Sequence, residues 1–129
     1  MRSALHALFF VMLMLPSFAT SHADVDDDAT IPASAFELVV VEAEGCIYCE
    51  LFRRDVLPAY QASEQSKNLP VRFVDINDIA ADHLDFTSSV DIVPTFVVVK
   101  SRHEVGRISG YVGPEDFFHS ISYLLAQAP

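Results

Sequence analysis

The chain has 129 residues, with 18 Asp and Glu against 8 Lys and Arg and a formal net charge of −10. That length suits one domain with a single modest core. So acidic a chain repels phosphate backbones and anionic lipid surfaces, which argues against nucleic-acid and membrane-surface partners.

The N-terminal stretch reads as a secretory signal peptide. Arg2 precedes an apolar run from Ala7 to Leu15, Pro16 breaks it, and small residues lead to Ser21-His22-Ala23. Cleavage is expected after Ala23, with Ser17-Phe18-Ala19 as a second site. The competing reading is an uncleaved N-terminal anchor, but the run falls short of the roughly 20 apolar residues needed to cross a bilayer. All 18 acids and 7 of the 8 basic residues follow residue 23, so the mature net charge is −11. Residues 24–35 include Asp24, Asp26, Asp27 and Asp28 with almost no apolar surface, and read as a solvated acidic leader. The expected domain is 36–129.

Phe36-Glu37-Leu38-Val39-Val40-Val41 is a β-branched run of strand length. Ala43-Glu44-Gly45 ends it, and Gly45 permits a sharp turn. From Cys46 the period becomes helical: Cys49, Phe52, Val56 and Tyr60 share one face, with Arg53, Arg54 and Asp55 opposite. Pro58 either kinks this helix or closes its first half. Polar residues 61–68 lead out. Val71–Ile76 is a second strand, and Asn77-Asp78 can cap a short helix through about Phe86. Thr95–Lys100 and Glu104–Ser109 form a hairpin about Ser101-Arg102-His103. Pro114, Glu115 and Asp116 suit the start of a last helix, whose apolar stripe is Phe117, Ile121, Leu124 and Leu125. The order is β-α-β-α-β-β-α. It describes an α/β fold with a central mixed sheet and flanking helices, its first two strands parallel.

The only two cysteines, Cys46 and Cys49, lie at a strand-to-helix turn. Unpaired amides at a helix start stabilise negative charge and lower a thiol's pKa, so Cys46 is the expected attacking thiolate. Cys49, one turn on and more buried, is the expected resolving sulfur. A bridge closing so short a loop constrains the unfolded chain little, so stability is a poor reason for it. Cys-x-x-Cys is also half of a zinc site, which needs two more ligands. His83, His103 and His119 stand on three separate elements without paired spacing. No metal is therefore expected.

Val93-Pro94-Thr95 precedes the third strand, and a proline there can be cis. Gly45-Cys46-Ile47-Tyr48-Cys49, Val93-Pro94-Thr95-Phe96 and Val105-Gly106-Arg107-Ile108-Ser109-Gly110 together resemble the thioredoxin superfamily, over roughly Glu37 to Gln127. Within it, the chain resembles short periplasmic thioredoxins encoded with bacterial sulfur-oxidation (Sox) genes. These have a similar Gly-Cys-Ile-Tyr-Cys and a similar Gly-Arg-Ile-x-Gly-Tyr before an acidic-aromatic helix start, here Glu115-Asp116-Phe117-Phe118.

The resemblance implies a minimal thioredoxin fold and a periplasmic reductant of protein disulfides, resupplied by a membrane thiol-electron donor. It implies Cys46 as nucleophile, Cys49 as resolver, Pro94 as cis-proline, and Val93 as the backbone that meets an extended substrate. No cofactor is implied beyond the cysteine pair. The chain departs from ordinary thioredoxins in three ways. It lacks the leading strand and helix, it has Gly45 in place of tryptophan, and Val40 stands where a buried acid assists the second cysteine. Glu42, two residues on along the same strand face, is a candidate proton acceptor or else a solvated strand-end residue. Tyr48 either lines the substrate groove or shields the sulfurs. Direction depends on a redox potential that spans roughly −270 to −120 mV across such folds. Ile47-Tyr48 lacks the histidine or proline of strongly oxidising members, which favours reduction. A disulfide oxidase or isomerase and a redox-gated partner-binding module stay open beside it.

Overall fold

The computed structural model describes residues 36–128. The signal peptide and acidic leader expected over 1–35 lie outside the described residues. The elements are β1 (Phe36–Glu42), α1 (Ile47–Asp55), α2 (Leu57–Gln61), α3 (Glu64–Asn68), β2 (Val71–Asp75), β3 (Thr95–Lys100), β4 (His103–Ser109) and α4 (Pro114–Gln127).

The four strands form one mixed sheet in the order β2-β1-β3-β4. β1 runs parallel to β2 and antiparallel to β3, and β3 pairs antiparallel with β4. The two central strands are buried on both faces, which is why β1 and β3 read as near-continuous apolar runs. Their alternating side chains feed two separate cores. Leu38, Val40, Phe96 and Val98 pack with Phe52, Tyr60, Phe117 and Ile121 of the helices. Val39, Val41, Val97 and Val99 face the other way, onto Ile76, Ile79, Leu84, Phe86, Val90 and Val93.

The helical face is the stronger core. Cys49, Phe52, Val56 and Tyr60 are all buried, as their spacing predicts. The Phe52 ring lies 4.6 Å from Phe96 and 5.3 Å from Phe117, centroid to centroid. Tyr60 donates its hydroxyl to the Leu69 carbonyl at 2.5 Å, and burial pushes its phenol above the ordinary range. α4 comes so close to β4 that a Cβ on Gly106 would stand 2.6 Å from Leu124 Cδ2.

The Cys46 helix is divided at Val56 (φ −114°, ψ −49°), with Pro58 in the first turn of α2, in keeping with the break expected at that proline. Pro58 has no N–H to give the Arg54 carbonyl four residues back. The polar stretch after it contains α3, capped by the Ser63 hydroxyl, which accepts from the Ser66 N–H. The helix expected over Asn77–Phe86 does not form.

In its place consecutive turns run from Ile76 to His83. The Asp75 carboxylate accepts from both the backbone and side-chain amides of Asn77, at 2.8 and 2.7 Å. The bonds that follow, Asp78 to Asp75, Ala81 to Asp78 and Asp82 to Ile79, span three residues each. His83 then adopts a left-handed φ of 54°. Short polar side chains that bond their own backbone favour turns over helix, and this segment is rich in them. The β3–β4 turn is also tighter than expected, because His103 already pairs with Lys100. Ser101 and Arg102 both take positive φ (51° and 71°), as a two-residue hairpin turn requires. The Arg102 guanidinium stabilises this turn by donating to the carbonyls of Asp82 and His83.

Candidate active site

The last residues of β1 lead into a turn at Gly45, whose φ of +71° suits glycine. Cys46 follows as N-cap of α1, with extended backbone angles (φ −77°, ψ 101°). Its Sγ accepts from the Cys49 N–H at 3.1 Å. Cys46 and Cys49 are joined in a disulfide with a Cα–Cα distance of 5.3 Å. Exposure separates the two: Cys46 is half-buried, while Cys49 is only 4% exposed. A sulfur at a helix start with an amide aimed at it is where negative charge is best stabilised.

The Val93–Pro94 peptide bond is cis. Pro94 is buried and its carbonyl accepts from the Gly110 N–H at 2.8 Å. Val93 is half-buried, and no hydrogen bond involves its backbone among the described residues. Tyr48 is exposed and its ring stacks on Tyr111, with centroids 6.5 Å apart. Ile47 and Ile92 are exposed as well. Ile92 lies beside Gly110, the residue before Tyr111. Near it, the Asp55 carboxyl is held below its ordinary value chiefly by the hydrogen-bonded Arg54 guanidinium.

Sequence reasoning singled out Tyr48 and missed Tyr111 as its partner. The available signal was the Gly110-Tyr111 pair that closes the β4 motif. Separation of 63 residues hid the contact itself.

Val40 is fully buried among apolar side chains, so no acid lies at that point of β1. Glu42 sits at the end of the same strand. Arg53 donates to both its oxygens, from Nε at 3.0 Å and from a terminal nitrogen at 2.6 Å. The Arg53 guanidinium in turn covers the Phe73 ring at 3.7 Å. This ion pair joins the end of β1 to α1 one turn beyond Cys49.

Among the described residues the histidines are His83, His103 and His119. His103 contacts the Asp85 carboxylate at 2.9 Å, while His83 and His119 are exposed. Among the described residues no group of three or more His, Cys, Asp or Glu side chains could hold a metal ion.

Solved structures with the same architecture carry the comparison. The periplasmic thioredoxin SoxS from Paracoccus pantotrophus, in its reduced form, superposes with a TM-score of 0.68 at 28% identity. The match covers 71% of this chain and 97% of that one. The chain has the thioredoxin fold. Fasciola hepatica thioredoxin matches 70% of this chain and 81% of its own, at 22% identity and a TM-score of 0.52. Mitochondrial thioredoxin 3 from Saccharomyces cerevisiae, in its oxidized form, matches 70% of this chain and 79% of its own, at 22% identity and a TM-score of 0.53. Those two likenesses speak for the fold alone. Neither a family model nor a curated protein matches the chain. A thioredoxin fold with a paired Cys-x-x-Cys supports thiol–disulfide oxidoreductase chemistry. Among the described residues no helix is long and apolar enough to cross a membrane.

Proposed function

We propose that this protein is an exported, periplasmic reductase of protein disulfides that works through Cys46 and Cys49. The observation that carries the reading is the disulfide at the start of α1, with one sulfur accessible and the other buried. The expected signal peptide and the likeness to periplasmic SoxS support export, and the same likeness supports a role beside sulfur-oxidation proteins.

In the reduced protein the Cys46 thiolate attacks one sulfur of a substrate disulfide. That S–S bond breaks and a mixed disulfide forms, with the other substrate sulfur leaving as thiolate. Cys49, once deprotonated, attacks the Cys46 sulfur and frees the second substrate thiolate. The substrate gains two electrons, and the protein is left with the Cys46–Cys49 bridge. The electrons travel on the sulfurs themselves, so the cycle uses no bound cofactor. A thiol-electron donor in the membrane would restore the dithiol.

An extended substrate segment would pair with the free backbone of Val93 beside Pro94 and lie against Tyr48. Insulin reduction driven by dithiothreitol tests the reading. Sustained turnover is expected, while a protein that only docks a partner would leave insulin at the dithiothreitol background rate.

The same reading assigns the Cys49 proton to Glu42, kept at the β1–α1 junction by Arg53. Glu42→Gln should move Cys49 alkylation, followed in the reduced protein, to lower pH, because a neighbouring carboxylate opposes formation of the thiolate. An unchanged profile would leave Glu42 as an ion-pair clamp and remove it from the chemistry.

A further inference from the structure

The segment between β2 and β3 ends in Val93–Pro94, yet it contains no helix to hold it in shape. Its first half is fixed by its own turns and by Arg72, which reaches both Glu37 and Asp82. At Asp85 the chain touches the hairpin: its N–H donates to the Arg102 carbonyl and its carbonyl accepts from Glu104. From Phe86 to Asp91 the arrangement changes. Every backbone hydrogen bond of this stretch, among the described residues, ends on the side chain of Glu104 or Arg107.

Glu104 accepts from the Thr87 N–H at 2.9 Å. Arg107 donates to the Ser88 carbonyl at 2.9 Å and to the Ser89 carbonyl at 3.0 Å. The two side chains are joined by paired bonds of 2.6 and 2.5 Å. The Arg107 guanidinium also lies 5.6 Å from the centre of the Phe86 ring. Both side chains are mostly buried, Glu104 at 4% exposure and Arg107 at 16%. Burial by itself would raise the Glu104 pKa, but hydrogen bonds from Arg107 and Thr87 outweigh it and hold the carboxyl below its ordinary value.

Residues three apart on a regular strand point to opposite faces. Glu104 and Arg107 share a face because β4 is bulged between them. Gly106 pairs with Val98 and Glu104 with Val99, which leaves Val105 as the extra residue. The bulge re-aims Glu104 toward the side of the sheet on which Arg107, opposite Val97, already points. That side carries Val97 and Val99, and Phe86 and Val90 pack there.

We propose that Arg107, braced by Glu104 across this bulge, is the positioning residue for the Val93–Pro94 backbone that receives substrate. Neither side chain touches the sulfurs on this account. They take the place of the absent helix by holding residues 87–89 from the side, and four residues later the chain presents Val93. The inference rests on the reductase reading and specifies what keeps that site in register.

The test separates reactions that need the Val93–Pro94 backbone from one that does not. Initial rates of insulin reduction yield kcat and KM for wild type, Arg107→Ala and Glu104→Gln. Reaction of each reduced protein with 5,5′-dithiobis(2-nitrobenzoate) reports Cys46 reactivity toward a small disulfide. All assays are run well below each variant's thermal midpoint. Arg107→Ala should raise the insulin KM about tenfold and leave the small-disulfide rate within about twofold of wild type. Glu104→Gln preserves shape and removes the charge, so it should raise KM by a smaller factor. Should Arg107→Ala fail to fold, Glu104→Gln alone decides. An unchanged insulin KM overturns the inference, and so does an equal loss in both reactions, which would mean general damage to the fold. A wild-type protein without insulin turnover would defeat the reductase reading and this one together. Turnover with unchanged KM in the variants defeats this one alone.

Discussion

On the proposed reductase reading, Cys49→Ala is expected to turn the protein into a trap, with target proteins held on Cys46 as mixed disulfides. The expectation follows from the unequal placement of the two sulfurs. Cys46 caps α1 and is half-buried, so a substrate disulfide can reach it. Cys49 faces the core at 4% exposure, where an incoming protein cannot reach it but the Cys46 sulfur can. Without Cys49 the first exchange still runs and the second has no attacking thiolate. The adducts should survive non-reducing electrophoresis and disappear with dithiothreitol. Cys46→Ser should form none, and should reduce insulin only at the dithiothreitol background. Adducts that form equally well on Cys46→Ser would reverse the assignment of attacker and resolver. Captured proteins from the native compartment would identify the substrates directly.

Phe52→Ala should produce the largest loss of stability among single substitutions near the site. The Phe52 ring is 1% exposed and stands among Phe73, Phe96 and Phe117, which belong to β2, β3 and α4. It lies one turn after Cys49, so the same side chain packs α1 on the sheet and sets the depth of the buried sulfur. Truncating a buried phenylalanine costs about 3–5 kcal/mol through lost transfer energy and a residual cavity. In a domain of this size each kcal/mol lowers the thermal midpoint by about 4–8 °C. Urea unfolding followed by circular dichroism measures the loss. A cost below about 1 kcal/mol would mean that the helices repack around the gap, contrary to the dense aromatic contacts seen here.

Much of this molecule was legible in the residues. The β-branched runs Phe36–Val41 and Thr95–Lys100 became the two central strands, because burial on both faces requires apolar side chains at every position. The spacing of Cys49, Phe52, Val56 and Tyr60 determined which face of the helices meets the sheet. Gly45 before Cys46 and Pro94 before β3 marked two backbone features, a positive φ and a cis peptide bond. The segment after β2 was misread for a physical reason. Asn77-Asp78 has a helix-capping look, but the Asp75 carboxylate takes the Asn77 amides first and closes a turn there.

The sequence by itself determined the placement of the Cys46–Cys49 pair, because local spacing alone puts one sulfur at a helix start and the other on its inner face. Only the tertiary structure decided which residues of different elements meet. Tyr48 meets Tyr111, Glu42 meets Arg53, and Glu104 with Arg107 holds the backbone that leads to Pro94. These contacts join residues far apart along the chain, and one of them depends on a bulge that reverses the normal alternation of a strand. Periodicity registers which residues share a face of one element. It carries no record of which elements the fold brings together.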